Sequence, residues 1–299
     1  MKIRIGFGLG VRTTLNDGRF GDAVDALEDL RFDSLWLSER ISGDAPDPTV
    51  GTAFAAGRTK HLKFGFSVMV LPGRNPVIVA TQLATLDRLS AGRLLPAFGL
   101  GVADAHEQQA FGVAREDRAK WFDEALPLIR RFWTEDRVDH DGVRFHYDGM
   151  RVMPKPHQNP PDVWLGGIAK SELRRVGRLG DGWLPSFATP ADVEAGRTVI
   201  DAVAAEHGRA IDPEHYGALI PYAMGEVPEP VLAGLRARRP DLDPTTLVPI
   251  GFEALAKAIQ GFVNVGFSKF VALPIVEPAG GDLPTHLAEL ADVVLPLQT

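Results

Sequence analysis

The chain contains no cysteine, which removes disulfide frameworks, thiolate nucleophiles and zinc-thiolate centres from consideration. It also lacks any apolar run near the roughly 18 residues that a membrane-spanning helix requires. Met1 and Lys2 lead straight into a glycine-punctuated apolar strand, without the apolar core of a secretory signal. We therefore expect a cytoplasmic protein with no membrane partner. Positive charge is not concentrated: 32 Lys and Arg are scattered among 39 Asp and Glu, for a formal net charge of -7. Nucleic acid, which calls for a basic stripe, is not an expected partner. None of the eight histidines shows metal-ligand spacing, so no metal site is expected, and no Gly-x-Ser-x-Gly elbow marks a serine hydrolase.

What is present is a soluble composition, 45% hydrophobic and 24% charged over 299 residues, which excludes disorder and leaves enough chain for one large barrel. Short apolar strands alternate with helical patterns, as parallel βαβ units require. The strands read as Ile3 to Leu9, Ser34 to Leu37, Leu62 to Val70, Leu94 to Leu100, Val163 to Gly166, Gly182 to Pro185, Tyr216 to Met224 and Lys269 to Pro274. Between them lie predicted helices, among them Phe20 to Leu30, Pro76 to Leu89, Arg118 to Trp133, Lys170 to Leu179, Ala191 to His207, Phe252 to Val265 and Leu283 to Leu295. Eight such units favour an α/β (β/α)8 TIM barrel over an open doubly wound sheet. We expect it to occupy residues 1–299 as one domain. Two stretches break the rhythm, a hairpin excursion over 134–161 turning at Asp141-Gly142, and a proline-rich segment over 226–249. Both are expected at the barrel mouth as lids or walls, the second with a plain surface loop as the alternative.

In a barrel the active site lies at the carboxyl ends of the strands, so the residues there sort themselves by position. Glycine dominates those ends, and glycine lets backbone approach a flat or anionic ligand closely. Gly166-Gly167-Ile168-Ala169-Lys170 runs from a strand into a helix and suits a phosphate, with Lys170 as a nearby charge. The alternative is a tight turn closed by a Ser171 cap. Glu39 and Arg40 end the second strand. Glu39 reads as an acceptor for a cofactor N–H and Arg40 as an electrophilic or anion-binding group, or else the two form a mutual ion pair. Gly10, Arg12 and Trp183, at or just beyond strand ends, are expected to face the substrate. Gly99-Leu100-Gly101 lacks the third glycine of a dinucleotide fingerprint.

Trp36-Leu37-Ser38-Glu39-Arg40, Asn75-Pro76, Leu86-Asp87-Arg88-Leu89-Ser90-Ala91-Gly92-Arg93, Phe98-Gly99-Leu100-Gly101, Trp164-Leu165-Gly166-Gly167 and Leu179-Gly180-Asp181-Gly182-Trp183 occur in this order. Together they resemble the bacterial luciferase-like monooxygenase superfamily, and within it the branch that uses the deazaflavin coenzyme F420. The resemblance implies a flavin or deazaflavin in the barrel mouth, its tricycle against a third-strand bulge at Ser67, Val68 and Met69 that contains a non-proline cis peptide. It implies that Gly99, Leu100 and Gly101 line the cofactor, that Gly166 to Lys170 hold its phosphate, and that the chain forms a homodimer. Relatives that oxidise alcohols or sugar phosphates present an acidic residue followed by histidine after the second strand, whereas this chain has Glu39-Arg40. Arginine is no general base at neutral pH, so reduction of an activated organic acceptor is expected, with Arg40 and Asp104 as charge stabiliser and proton donor. The competing readings are an FMN-dependent monooxygenase on the same fold and a non-catalytic flavin-binding protein. In addition, Arg40, Arg74, Lys155 and Lys170 are expected to make the mouth basic.

Overall fold

A computed structural model describes residues 1–10, 18–276 and 282–299. Its first strand, β1 (Arg4–Leu9), alternates apolar residues with glycine. Ile5, Phe7 and Leu9 are wholly buried against the helices. Gly6 and Gly8 leave their space to other side chains: a Cβ on Gly6 would press on Ser34 and the Trp36 indole, and one on Gly8 would meet Leu273 at 2.9 Å. This period of two is what a pleated strand dictates.

The other strands are β2 (Ser34–Leu37), β3 (Lys63–Phe66, resuming at Met69–Val70), β4 (Leu94–Leu95 and Ala97–Gly99), β5 (Trp164–Leu165), β6 (Gly182–Trp183), β7 (Gly217–Tyr222) and β8 (Lys269–Pro274). Every neighbouring pair is parallel, and β8 pairs with β1 through Arg4 and Lys269. Two isolated bridges, Trp183 with Tyr216 and Ser186 with Leu219, link β6 to β7, so the sheet closes on itself as a TIM barrel. The interruption in β3 is the cis Ser67–Val68 peptide that the resemblance implies. That in β4 is Pro96, which has no N–H for the ladder.

Two tryptophans fill the barrel interior. Trp36 and Trp164 meet edge to face, with ring centroids 6.5 Å apart, and they occupy the volume that side chains at Gly65 and Gly182 would need. With Ala97, Leu184, Leu219, Val271 and Leu273 they form an inner cluster separate from the main core between strands and helices.

The helices are α1 (Arg19–Asp29), α2 (Pro48–Arg58), α3 (Pro76–Leu89), α4 (Ala105–Phe111), α5 (Arg118–Thr134), α6 (Lys170–Leu179), α7 (Pro190–Glu206), α8 (Glu229–Arg238), α9 (Phe252–Asn264) and α10 (Leu283–Val294). Several begin on a side-chain cap followed by proline at the first helical position, where its missing N–H is harmless. Asp47 accepts from the Val50 amide and Asn75 from that of Val77, each at 2.9 Å. Two of the quoted sequence runs are structural. Arg93 donates to oxygens of Ala56, Thr59 and Leu62, and Asp181 accepts from Arg130, Arg209 and the Val163 amide.

The two excursions behave differently. The hairpin pairs Val138–Asp141 with His146–Met150 and lies along the outside of α3 and α5: Phe145 packs edge to face on Trp121, and Glu124 accepts from the Arg144 and Phe145 amides. None of its residues lines the mouth, which corrects the expectation for 134–161. It leaves α5 at the amino-terminal end of the barrel, as an insertion before a strand must. The proline-rich segment is not a plain loop. Pro228 and Pro230 sit at the start of α8, which they can enter but not interrupt. Leu235, Leu247 and Val248 bury themselves against Ala223 and Phe187 in a small cluster of their own.

Candidate active site

The carboxyl ends of the strands and α8 enclose a cavity of about 1000 Å³. Val68, Leu184, Leu219 and Leu273, the upper edge of the inner cluster, form its floor. On one side Val68 faces Gly99, where a Cβ would drive into the valine side chain. Gly101 beside it has φ of 80°, a conformation that favours glycine. The Ser38 hydroxyl lies 3.0 Å from the Ser67 hydroxyl and 3.3 Å from the Ser67 carbonyl, tying β2 to the bulge.

Glu39 and Arg40 do not pair with each other. Glu39 is buried, accepts from the Val70 amide at 2.6 Å and pairs with Arg74. Burial pushes its carboxyl up, against the pull of the Val70 amide and Arg74. Arg40 lies 3.9 Å from Glu107 of α4. Glu107 is itself buried and accepts from the Ile41 and Ser42 amides at 2.9 and 3.0 Å and from the Ser42 hydroxyl. Burial opposes its charge, but the Ser42 hydroxyl, these two amides and Arg40 together hold its carboxyl below the usual range.

Gly166, Gly167, Ile168 and Ala169 line the opposite wall. Gly167 has φ of 91° and its carbonyl accepts from the Trp183 indole at 2.9 Å. Trp183 is wholly buried, so it supports this loop from beneath. The start of α6 is capped by Glu172, which accepts from the Ala169 amide at 2.9 Å. Ser171 makes no cap bond. Arg118, at the first position of α5, also lines the cavity; it is buried and donates to the carbonyls of Leu100 and Val102 at 3.1 and 3.0 Å. Among the described residues no carboxylate lies within 4.0 Å of it. Arg175 also lines the cavity, but Asp123 holds it at 2.7 Å.

The outer wall is α8. Arg239, just past its end, is buried and bonded to Asp192, Asp241 and the Phe187 carbonyl. Phe187 has φ of 55°, an uncommon conformation for a bulky residue. Arg238 stands over its ring at 4.8 Å.

Thus Gly10, Glu39, Arg40, Ser67, Val68, Gly99, Leu100, Gly101, Gly166, Gly167, Ile168 and Ala169 line the cavity. Four expected residues do not. Met69 and Trp183 are buried in the main core between strands and helices, and Lys170 is exposed outside the cavity. Asp104 is the exposed cap of α4, accepting from the His106 amide at 2.8 Å, and is not placed to donate a proton. Arg12 lies outside the described residues. Of the cations expected at the mouth, Arg74 is taken by Glu39 and Lys155 donates to the Phe132 and Glu135 carbonyls. Arg40 lines the cavity as expected, and the rest of the cavity's positive charge comes from Arg118, Arg175, Arg238 and Arg239.

This arrangement fits a flat, phosphate-bearing cofactor. The Val68–Gly99 wall leaves room for a planar ring, and the buried, carboxylate-free Arg118 and the Gly166–Ala169 backbone, which line the same cavity, provide charge and amides for an anion. Among the described residues no group of three or more His, Asp or Glu could hold a metal ion, and no helix is long and apolar enough to cross a membrane.

Comparison with known proteins agrees with this geometry. The chain is 29% identical over 177 residues to an F420-dependent glucose-6-phosphate dehydrogenase of Kineococcus radiotolerans, a match covering 56% of this chain and 52% of that one. It spans about half the length of the curated relatives it matches. It superposes over 100% of both chains on an F420-dependent secondary alcohol dehydrogenase solved with an F420-acetone adduct, with a TM-score of 0.81 and 20% identity. The oxygenating constituent of a 3,6-diketocamphane monooxygenase of Pseudomonas putida, in complex with FMN, superposes with a TM-score of 0.78 and 16% identity over 99% of this chain and 98% of that one. At these identities the superpositions speak for the fold alone. The model of the luciferase-like monooxygenase family matches residues 7–259, and the chain belongs to that family.

Proposed function

We propose that the chain is an oxidoreductase that transfers a hydride from the deazaflavin coenzyme F420 to a small organic acceptor. The observation that carries the direction is the absence of a free base. Among the described residues no histidine, lysine or tyrosine lines the cavity. Its four carboxylates are all engaged: Glu39 by Arg74 and Val70, Glu107 by Ile41 and Ser42, Glu172 by Ala169, and Asp241 by Arg239. Oxidation of an alcohol needs a group to take its proton, whereas reduction needs a donor aimed at the oxygen where charge develops.

Bound deazaflavin would supply the hydride. Val68 and Gly99 to Gly101 would orient its ring, and Arg118 with the amides of Gly167 to Ala169 would hold its phosphate. Arg40, 3.9 Å from Glu107, donates hydrogen bonds to the acceptor's developing negative charge. The floor of leucines and the wall of α8 exclude water from the reacting atoms. The F420-dependent relative and structural neighbour support the choice of cofactor. FMN, bound by the camphane enzyme, is the alternative.

The test is to titrate the purified protein separately with F420 and with FMN, then to supply reduced F420 with a panel of acceptors under anaerobic conditions. F420 binding in the micromolar range or tighter, with acceptor-dependent oxidation that Arg40→Ala abolishes without lowering the melting temperature, is the expected result. FMN binding with oxygen consumption and no affinity for F420 defeats it. Cofactor binding with no turnover on any acceptor points to a binding protein.

A further inference from the structure

Five arginines line the cavity, and not all of them have a carboxylate partner, in a chain whose net charge is -7. Arg239 is matched by Asp192 and Asp241, and Arg175 by Asp123. Arg40 and Arg238 are not matched in this way. Arg40 reaches Glu107 only at 3.9 Å, and both Glu107 oxygens already accept from Ile41 and Ser42. Among the described residues Arg238 has no carboxylate within 4.0 Å and no hydrogen-bond partner.

Arg238 is nevertheless held in place. Its guanidinium lies over Phe187, whose carbonyl is fixed by Arg239 at 2.8 Å. Its side chain is exposed and borders the cavity. Desolvation by the wall and the repulsion of Arg40 lower its pKa, against the pull of Glu172. Two guanidiniums that share a cavity repel each other, and an anion placed between them relieves both. The planar fork of each suits two-point recognition of a carboxylate.

We propose that Arg40 and Arg238 together bind a carboxylate group of the organic substrate, with the Phe187 ring as the adjoining wall, so that the substrates are small organic acids. That the acid is the hydride acceptor rests on the function proposed above; that an acid binds here does not. The same chemistry could be presented by the glutamyl tail of the cofactor, and the experiment separates the two.

Binding of cinnamate and of its neutral isostere cinnamamide is measured by calorimetry on the cofactor-free protein. Cinnamate is expected to bind at least about tenfold more tightly, as charge-assisted hydrogen bonds imply. Arg238→Gln should remove most of that preference while leaving cinnamamide binding and the melting temperature unchanged. Equal affinity for the two probes, no measurable cinnamate binding, or a preference that survives Arg238→Gln overturns the proposal. In a second arm, F420 with and without its glutamyl tail is titrated into wild type and Arg238→Gln. Unchanged affinity for both forms supports the substrate site. A loss confined to the tailed form overturns it and gives the arginines to the cofactor. Failure of F420 to bind at all, with the cinnamate preference intact, defeats the proposed function and leaves the acid site standing.

Discussion

Glu39 joins two strands across the bulge: its carboxylate accepts from the Val70 amide at 2.6 Å and pairs with Arg74, so the end of β2 is tied to the second half of β3 just beyond Ser67–Val68. Arg74 in turn donates to the Val70 carbonyl at 2.9 Å. Removing Glu39 leaves the half-buried Arg74 and the Val70 amide without their acceptor, at a cost of about 1 to 3 kcal/mol. Glu39→Ala is therefore expected to lower the denaturation midpoint and to weaken cofactor binding together. Glu39→Gln, which keeps an acceptor for Val70, should recover part of both. Urea denaturation and cofactor titration of the two variants check this.

Glu107 gives the site an acid limit. Its folded carboxyl lies below the usual range, so the native state binds its proton less readily than the unfolded chain. The resulting stability is complete above the ordinary carboxylate value of about 4.3 and is lost as pH falls through the folded value. The difference in denaturation midpoint between wild type and Glu107→Gln should thus be constant near neutrality and shrink from about pH 5 downward. A difference that grows on acidification would contradict the assigned sign.

Arg118 should distinguish phosphate from the rest of the cofactor. If its guanidinium meets the phosphate, Arg118→Met will weaken F420 by roughly 10- to 100-fold, the range of a charge-assisted hydrogen bond. The phosphate-free deazaflavin alcohol will bind wild type and variant alike. Equal losses for both ligands would assign Arg118 only to the support of the Leu100 and Val102 carbonyls.

Arg239 is the fastening of α8. Its replacement by Ala leaves Asp192 without its guanidinium partner, frees the Phe187 carbonyl and should loosen 229–248 while the barrel strands keep their protection. Hydrogen exchange read segment by segment tests this, and uniform acceleration across the chain would show a global effect instead.

Much of this architecture is legible in the sequence where a strand or helix carries its own punctuation. Ser34–Leu37, Pro76–Leu89, Lys170–Leu179 and Lys269–Pro274 have the bounds read from residues alone. For α3 the reason is explicit, since Asn75-Pro76 announces its start. Asp47-Pro48 announces α2 equally well, but its small residues, with Gly51, Ala55 and Ala56 on the buried side, give little apolar periodicity. The proline content of 226–249 masks α8, because Pro228 and Pro230 stand at a helix start, where proline does not interrupt the helix.

The site itself was half legible for a related reason. Strand ends carry Arg40, Ser67, Val68 and the glycines, and their position in a barrel is readable from the alternation alone. Glu107, Arg118 and Arg238 come from helices α4, α5 and α8, so their approach to the cavity depends on how those helices pack. A buried arginine at a helix start, where the dipole disfavours positive charge, was the one signal that could have drawn attention to Arg118.

The interlocked Trp36 and Trp164 set a boundary on how this chain can change. Because Gly65 and Gly182 cede their side-chain space to those rings, neither glycine can gain even a methyl group without dislodging an indole, and neither indole can shrink without opening a void under Val68 and Leu184. The floor of the cavity is therefore closed to gradual variation. Room for a different acceptor must be found at α8, where Pro230, Val231 and Gly234 border the cavity from a segment with a small core of its own. Divergence among chains with this inner packing should accordingly concentrate in one helix, with the barrel beneath it held constant.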